Sequence, residues 1–249
     1  MPHALDQKVA VVLGGTGGIG TATAHRLALA GARVVVVGQD DLAHTQAAAK
    51  RLPGEGHTAA LASITDSATL NELAGTVRDH YGRADILVNA AGFTQPVKHD
   101  NLDALTDQLI DDIFKVNWRG QFAAIRAFRT LLAESGDGLI VNVSSISATT
   151  GIGSNIAYCA AKAGLDIMAA SLGRALAPQI RVVNVAPGVV DTSFVPGRGA
   201  DFNDKVAATT PLGRIGTPDD IAAAIEACAT HLKFTTGVTI VVDGGRRLS

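Results

Sequence analysis

Short, almost wholly apolar runs recur along the chain. Between them lie longer stretches in which apolar residues return every three or four positions. The runs are KVAVVL (8–13), RVVVV (33–37), DILVN (85–89), GLIVNV (138–143), IRVVNV (180–185) and VTIVV (238–242), with a weaker one, TAAL, at 58–61. They are rich in β-branched residues and nearly free of polar alternation, which predicts strands buried on both faces. The Ala-rich amphipathic stretches fall at 18–30, 41–52, 67–81, roughly 103–132, 156–177 and 218–231. This order predicts an α/β fold: a doubly wound parallel sheet of about seven strands, helices on both faces, in one domain over 1–249. The one long irregular stretch, 187–217, is rich in Gly, Pro and Thr. A loop of that length in a compact domain reads as a lid or binding loop.

Composition narrows the classes. The formal net charge of the 249 residues is −2, so nothing points to nucleic acid or an acidic membrane surface as partner. Cys159 and Cys228 form no CxxC pair, and the histidines have no metal-binding spacing. No metal site is expected. The start of the chain lacks the pattern of a signal peptide, and no run is long and apolar enough to span a bilayer. The expected setting is soluble, reducing and cytoplasmic.

Two local patterns carry chemistry. The first is VVLGGTGGIG, where a strand gives way to a helix. Gly14, Gly18 and Gly20 let the backbone turn sharply and approach a pyrophosphate, whose charge then sits on the helix N-terminus. At the end of the second strand, a carboxylate would select NAD and an Arg NADP. The chain offers Gly38 and Gln39 instead, and Asp40 and Asp41 read as helix N-cap residues. The second pattern is AYCAAK. Tyr158 and Lys162 stand four apart, on one face of a helix. One reading puts the phenol in the core and the ammonium in solvent. The other has Lys162 favouring the phenolate of Tyr158, which alone has a pKa of about 10 and is a sluggish base.

Further segments decide between these readings. LVNAAG (87–92), KVNWRG (115–120), IVNVSS (140–145), NVAPGVVDT (184–192), PLGRIGTPDDIA (211–222) and TGVTIVVDGG (236–245) accompany the glycine motif and YCAAK. In this order the chain resembles the short-chain dehydrogenase/reductase family, in its short single-domain branch, over nearly its whole length. The resemblance implies a Rossmann-type domain, an NAD or NADP cofactor, a small-molecule alcohol or carbonyl substrate, and a homotetramer packed through helices 103–132 and 156–177. It implies a catalytic set of Asn117, Ser145, Tyr158 and Lys162. Ser145, thirteen residues before Tyr158, is selected over Ser144. In that set Tyr158 is the general acid and base, Ser145 donates to the substrate oxygen, Lys162 binds the nicotinamide ribose, and Asn117 holds a relay water. The implied cofactor contacts are Gly14, Thr16, Gly17, Gly18, Ile19 and Gly20 in the glycine loop, Gly38 and Gln39 at the ribose, and Ser63 and Ile64 at the adenine. Asn89, Ala90, Ala91 and Gly92 follow, then Pro187, Gly188, Val190 and Thr192, with Tyr158 and Lys162 at the nicotinamide.

Four positions depart from the family pattern: Leu13, Gly38 with Gln39, Ser63, and Ala90. All concern the cofactor half, so catalysis is expected to be retained with cofactor preference open. Expected pocket walls are Thr94, Gln95, Ser147 to Ile152, Asn155, Val189, Phe194 and Phe202. Arg198 and Lys205 are the only cations foreseen for an anionic tail. The reading is a dehydrogenase or reductase of a secondary alcohol or ketone. The alternatives are a 3-oxoacyl-carrier-protein reductase and a nucleotide-sensing protein without catalysis.

Overall fold

The computed structural model describes residues 3–197 and 201–248. Seven strands form one sheet: β1 Val9–Leu13, β2 Arg33–Gly38, β3 Thr58–Leu61, β4 Ile86–Asn89, β5 Gly138–Val143, β6 Ile180–Pro187 and β7 Val238–Val242. Their order is β3-β2-β1-β4-β5-β6-β7, and all pairs are parallel. The helices are α1 Gly18–Leu29, α2 Leu42–Lys50, α3 Ser67–Tyr81, α4 Asp107–Phe114, α5 Gln121–Glu134, α6 Ser147–Thr150, α7 Ile156–Ala175, α8 Phe202–Ala208 and α9 Pro218–Thr230.

The apolar runs are strands because both faces are covered. Val9, Val11 and Leu13 meet Leu70 of α3, Phe128 of α5 and Leu165 of α7. Ala10 and Val12, pointing the other way, meet Leu27 of α1 and Ile221 and Ile225 of α9. The strand order reverses between β1 and β4, which opens a crevice beyond the carboxyl ends of the strands.

Three expectations need correction. The stretch 103–132 is not one helix. A 3₁₀ turn, Leu102–Ala104, precedes α4, and a π-turn, Lys115–Gly120, separates α4 from α5. The π-turn brings the backbone of Gly120 so close to β3's exit loop that a Cβ there would lie 2.6 Å from Ile64 O. Propensity cannot foresee such a tertiary contact. Strands β3 and β7 are not buried on both faces; they are the sheet edges, partly exposed along their length. The irregular stretch 187–217 begins with the end of β6 and contains α8. Asp41 does cap α2, its side chain accepting from His44 N–H at 2.9 Å. Among the described residues, no helix is long and apolar enough to cross a membrane, and no group of three or more His, Cys, Asp or Glu could hold a metal ion.

Candidate active site

A cleft of about 1390 Å³ follows the carboxyl edge of the sheet, from Gly17–Gly20 past Ser145, Tyr158 and Lys162 to Phe194 and Phe202. Its phosphate end is built from close backbone approaches. Gly14 has φ +75°, and a Cβ on it would lie 2.7 Å from Ala91 N. A Cβ on Gly20 would stand 2.0 Å from Gly14 O. No side chain caps α1 at Gly17, so the N–H groups of its first turn are left for an anion. Thr192 folds over this turn, its Cγ2 only 2.8 Å from where a Cβ on Gly18 would be. Ile19, Ala90, Ala91, Gly92, Pro187, Gly188 and Val190 line the same cleft. An uncapped glycine helix start, with no carboxylate among the described lining residues, fits a dinucleotide pyrophosphate.

The adenosine end is less convergent. Gly14, Thr16, Gly38, Gln39, Ser63, Ile64 and Asn89 do not line the cleft. Gly38 has a steric cause: a Cβ there would be 2.2 Å from Oγ1 of Thr45, which is 1% exposed and donates to Asp41 O at 2.6 Å. A buried threonine therefore stands where the ribose-selecting side chain would begin. Ser63 Oγ pairs with Thr65 Oγ1 at 3.0 Å, and the Ile64 side chain packs towards Gly120.

At the other end the chemistry converges. Asn155 caps α7, its Oδ1 accepting from Tyr158 N–H at 2.7 Å while its Nδ2 donates to Gln95 O at 2.8 Å. This fixes the first turn of α7, and Tyr158 with it. Lys162 is 3% exposed; its Nζ donates to Val143 O at 2.7 Å and lies 5.6 Å from the centre of the Tyr158 ring. Burial pushes the Lys162 ammonium down to about 8, against the opposing pull of Asp166 one turn further on. Ser145 Oγ accepts from Ser147 N–H at 3.1 Å and also lies 3.1 Å from Ser147 Oγ. Ser144, by contrast, is 2% exposed and turned to Asp166. The tilted ring of Phe194 stands 6.1 Å from that of Tyr158.

Asn117 is fully buried and outside the cleft lining. Its Nδ2 donates to Phe93 O at 2.7 Å and to Ile113 O at 2.9 Å, and its Oδ1 accepts from Phe93 N–H at 3.3 Å. One amide hydrogen thus ties the turn after β4 to the π-turn, and the other ties the π-turn back to α4. A water bound to this residue would have to donate to it.

Asn89, expected at the cofactor, lies outside the cleft lining, and several further features were not foreseen. Asn89, Asn142 and Asn184 are paired neighbours on β4, β5 and β6 and form a buried ladder. Asn89 Nδ2 donates to Asn142 Oδ1 at 2.8 Å, and Asn142 Nδ2 to Asn184 Oδ1 at 2.9 Å. Asn184 Nδ2 reaches Asp166 Oδ1 at 2.9 Å. The signal was a lone Asn in each of three apolar runs. Arg246 and Arg247 also line the cleft. They follow the last strand of a parallel sheet, where a chain emerges at the ligand edge. Among the expected walls, Thr94 and Asn155 are buried and bonded to protein groups, and Gln95 is not in the lining. Lys205 is exposed, pairs with Asp201 at 2.5 Å and is not in the described cleft lining. Arg198 lies outside the described residues.

Residues 14–247 match a family model described as enoyl-(acyl carrier protein) reductase. The chain is 36% identical to a cis-4-hydroxycyclohexanecarboxylate dehydrogenase of Sinomonas cyclohexanicum, over 98% of each chain. It is 34% identical to the 3-oxoacyl-(acyl-carrier-protein) reductase of Escherichia coli, over 96% of this chain and 97% of that one. A doubly substituted short-chain dehydrogenase/reductase of Serratia marcescens superposes with a TM-score of 0.88 at 30% identity, covering 98% of this chain and all (100%) of the other. The glycine turn, the Ser145–Tyr158–Lys162 cleft and these full-length likenesses have one reading: the chain belongs to the short-chain dehydrogenase/reductase family, an oxidoreductase family.

Proposed function

We propose that the protein transfers a hydride between a nicotinamide dinucleotide and a secondary alcohol or ketone, with Tyr158 as general acid and base. The observation that carries this reading is the Tyr158–Lys162 pair. A buried ammonium anchored to Val143 O stands beside a phenol, in one cleft with Ser145 and an uncapped glycine helix start.

The cofactor, when bound, supplies or accepts the hydride. Gly17 to Gly20 would hold its pyrophosphate, and Lys162 its nicotinamide ribose. Tyr158 gives its phenolic proton to the carbonyl oxygen in reduction and takes it from the alcohol in oxidation. The charge of Lys162 favours the phenolate, and so eases the proton's departure. Ser145 turns its hydroxyl hydrogen to the substrate oxygen and stabilises the charge that develops there. Asn117 acts through position, holding the turn at Phe93 against the π-turn.

The test is Tyr158→Phe. Turnover of a ketone panel falls about a thousandfold, while fluorescence titration still shows cofactor binding. Undiminished turnover would refute the reading. If unsubstituted protein binds cofactor but turns over no ketone or alcohol, the binding-protein alternative stands instead.

Cofactor choice follows from charge. Gln39, Asp40 and Asp41 are exposed at the end of β2, with two carboxylates and no cation among them. This favours the 2′-hydroxyl of NAD over the 2′-phosphate of NADP. Tighter binding of NADPH than of NADH would overturn that choice. The likeness to the E. coli enzyme favours a second reading, reduction of a carrier-bound 3-oxoacyl thioester. Rates on such a thioester well above those on free ketones would put it first.

We also infer self-association into a tetramer. Trp118 and Phe122 stack 6.1 Å apart, and with Ile156 and Ile167 they leave apolar surface on α5, α7 and the π-turn. Phe234 and Val238 expose a second apolar face at the β7 edge. Two such faces suit two twofold axes. A monomer by light scattering would exclude this.

A further inference from the structure

The residues after β7 form a tight turn at the ligand edge of the sheet. Asp243 holds it: Oδ1 accepts from Gly245 N–H at 2.8 Å and Oδ2 from Arg247 N–H at 2.9 Å. Gly244 and Gly245 have φ of 62° and 85°, a backbone that side chains resist. Leu212 N–H donates to Gly244 O at 3.1 Å, and Gly245 lies so close to Pro211 that a Cβ would be 2.9 Å from its Cγ. The Arg246 guanidinium reaches Thr209 Oγ1 just beyond α8. The turn is thus fastened to the segment after α8, and it presents Arg246 and Arg247 to the cleft.

Among the described lining residues, the cations are Lys162, Arg246 and Arg247, and no carboxylate is present. Lys162 is buried beside Tyr158, whereas Arg247 is exposed and makes no ion pair among the described residues. The substrate half otherwise mixes apolar walls, Phe194, Val195, Phe202, Val206 and Ile152, with hydroxyls such as Thr149, Thr150 and Ser193.

We infer that the substrate carries a carboxylate besides the carbonyl or carbinol that meets Tyr158, and that Arg247 recognises it. The inference rests on the oxidoreductase reading above. A guanidinium offers parallel N–H donors that match a planar carboxylate. The apolar walls suit a hydrocarbon body linking the two ends. Of the described cations in the long loop, Lys205 is paired with Asp201 and Arg214 with Asp220.

The test is calorimetric titration of 4-oxocyclohexanecarboxylate, and of its methyl ester, into the protein saturated with NAD⁺. The acid is expected to bind about tenfold tighter or more, and Arg247→Gln to remove most of that preference. Arg247→Lys, which keeps the charge and loses the fork, falls between. Equal or absent binding of both compounds overturns the inference. So does a preference that survives Arg246→Gln/Arg247→Gln. So does a loss of NAD⁺ affinity in these variants in place of acid affinity, since the arginines would then serve the cofactor phosphates. Turnover of cyclohexanone by the unsubstituted protein tests the hydride-transfer reading separately, because that ketone has no carboxylate.

Discussion

Ser144 Oγ donates to Asp166 Oδ1 at 2.7 Å, which joins the residue before Ser145 to the turn of α7 that follows Lys162. Asn184 Nδ2 reaches the same oxygen at 2.9 Å, so one carboxylate closes the asparagine ladder and faces the ammonium. Asp166 is the charge that pulls against the burial of Lys162. Beside that ammonium also stand the Tyr158 ring on its own helix and Val143 O on β5.

This arrangement sets a pH dependence. The working form of Lys162 is the charged one, and burial brings its pKa from 10.5 down to about 8. Reductive activity is expected below that value and is expected to fall as pH rises through it. Asp166→Asn keeps an acceptor for Ser144 and Asn184 but removes the negative charge. The ammonium then loses its proton more easily, and the alkaline limb of kcat/KM moves to lower pH. A merely structural role for Asp166 would lower the rate and leave the limb in place.

Gly38 and Thr45 are coupled by volume. Gly38→Asp places a Cβ against Thr45 Oγ1, 2.2 Å away, and is expected to cost roughly 1–3 kcal/mol, read as a lower Tm. Thr45→Ala opens that space, so the double variant recovers part of the loss. Strict additivity in the two-residue cycle would show that the contact does not limit the site.

Asp85 governs acid stability at the amino edge of the sheet. Burial raises its pKa, but Arg83, Val9 N–H and Lys8 outweigh burial and hold the carboxyl below 3.8. The native state therefore binds the proton less readily than the unfolded chain. The stabilisation is complete above that unfolded value and is lost as pH falls below it. Asp85→Asn is expected to cost about 2–4 kcal/mol in urea at pH 7, an amount tempered by solvent at Lys8 and Arg83, 28% and 36% exposed. The gap should narrow as pH falls below 3.8. A constant gap across that range would assign the loss to packing.

The fold was legible because its strands are runs of Val, Ile and Leu covered on both sides, and because turn chemistry marks their ends. Edge strands read less well, since TAAL at 58–61 owes its pairing to β2 more than to its own residues. The site was legible where local spacing sets geometry, as from Tyr158 to Lys162. It was not legible where distant segments meet. Asn117 looks like a polar partner for water, yet its amide hydrogens go to Phe93 and Ile113. Nothing local on α7 marks Asp166, whose partner Asn184 arrives from β6. Nothing local marks Arg246 and Arg247 as cleft residues, since the turn held by Asp243 brings them there.

The asparagine ladder also bears on how the sheet assembles. In β4, β5 and β6, a slip of two residues keeps every side chain on its original face and exchanges one aliphatic group for another. The hydrophobic pattern is blind to that error. The ladder is not, because Asn89 would then face Ile140 in place of Asn142, leaving buried amides unpaired at about 1–3 kcal/mol each. Three amides in a dry core thus proofread the alignment of the strands, and with it the level at which Ser145 is delivered to Tyr158.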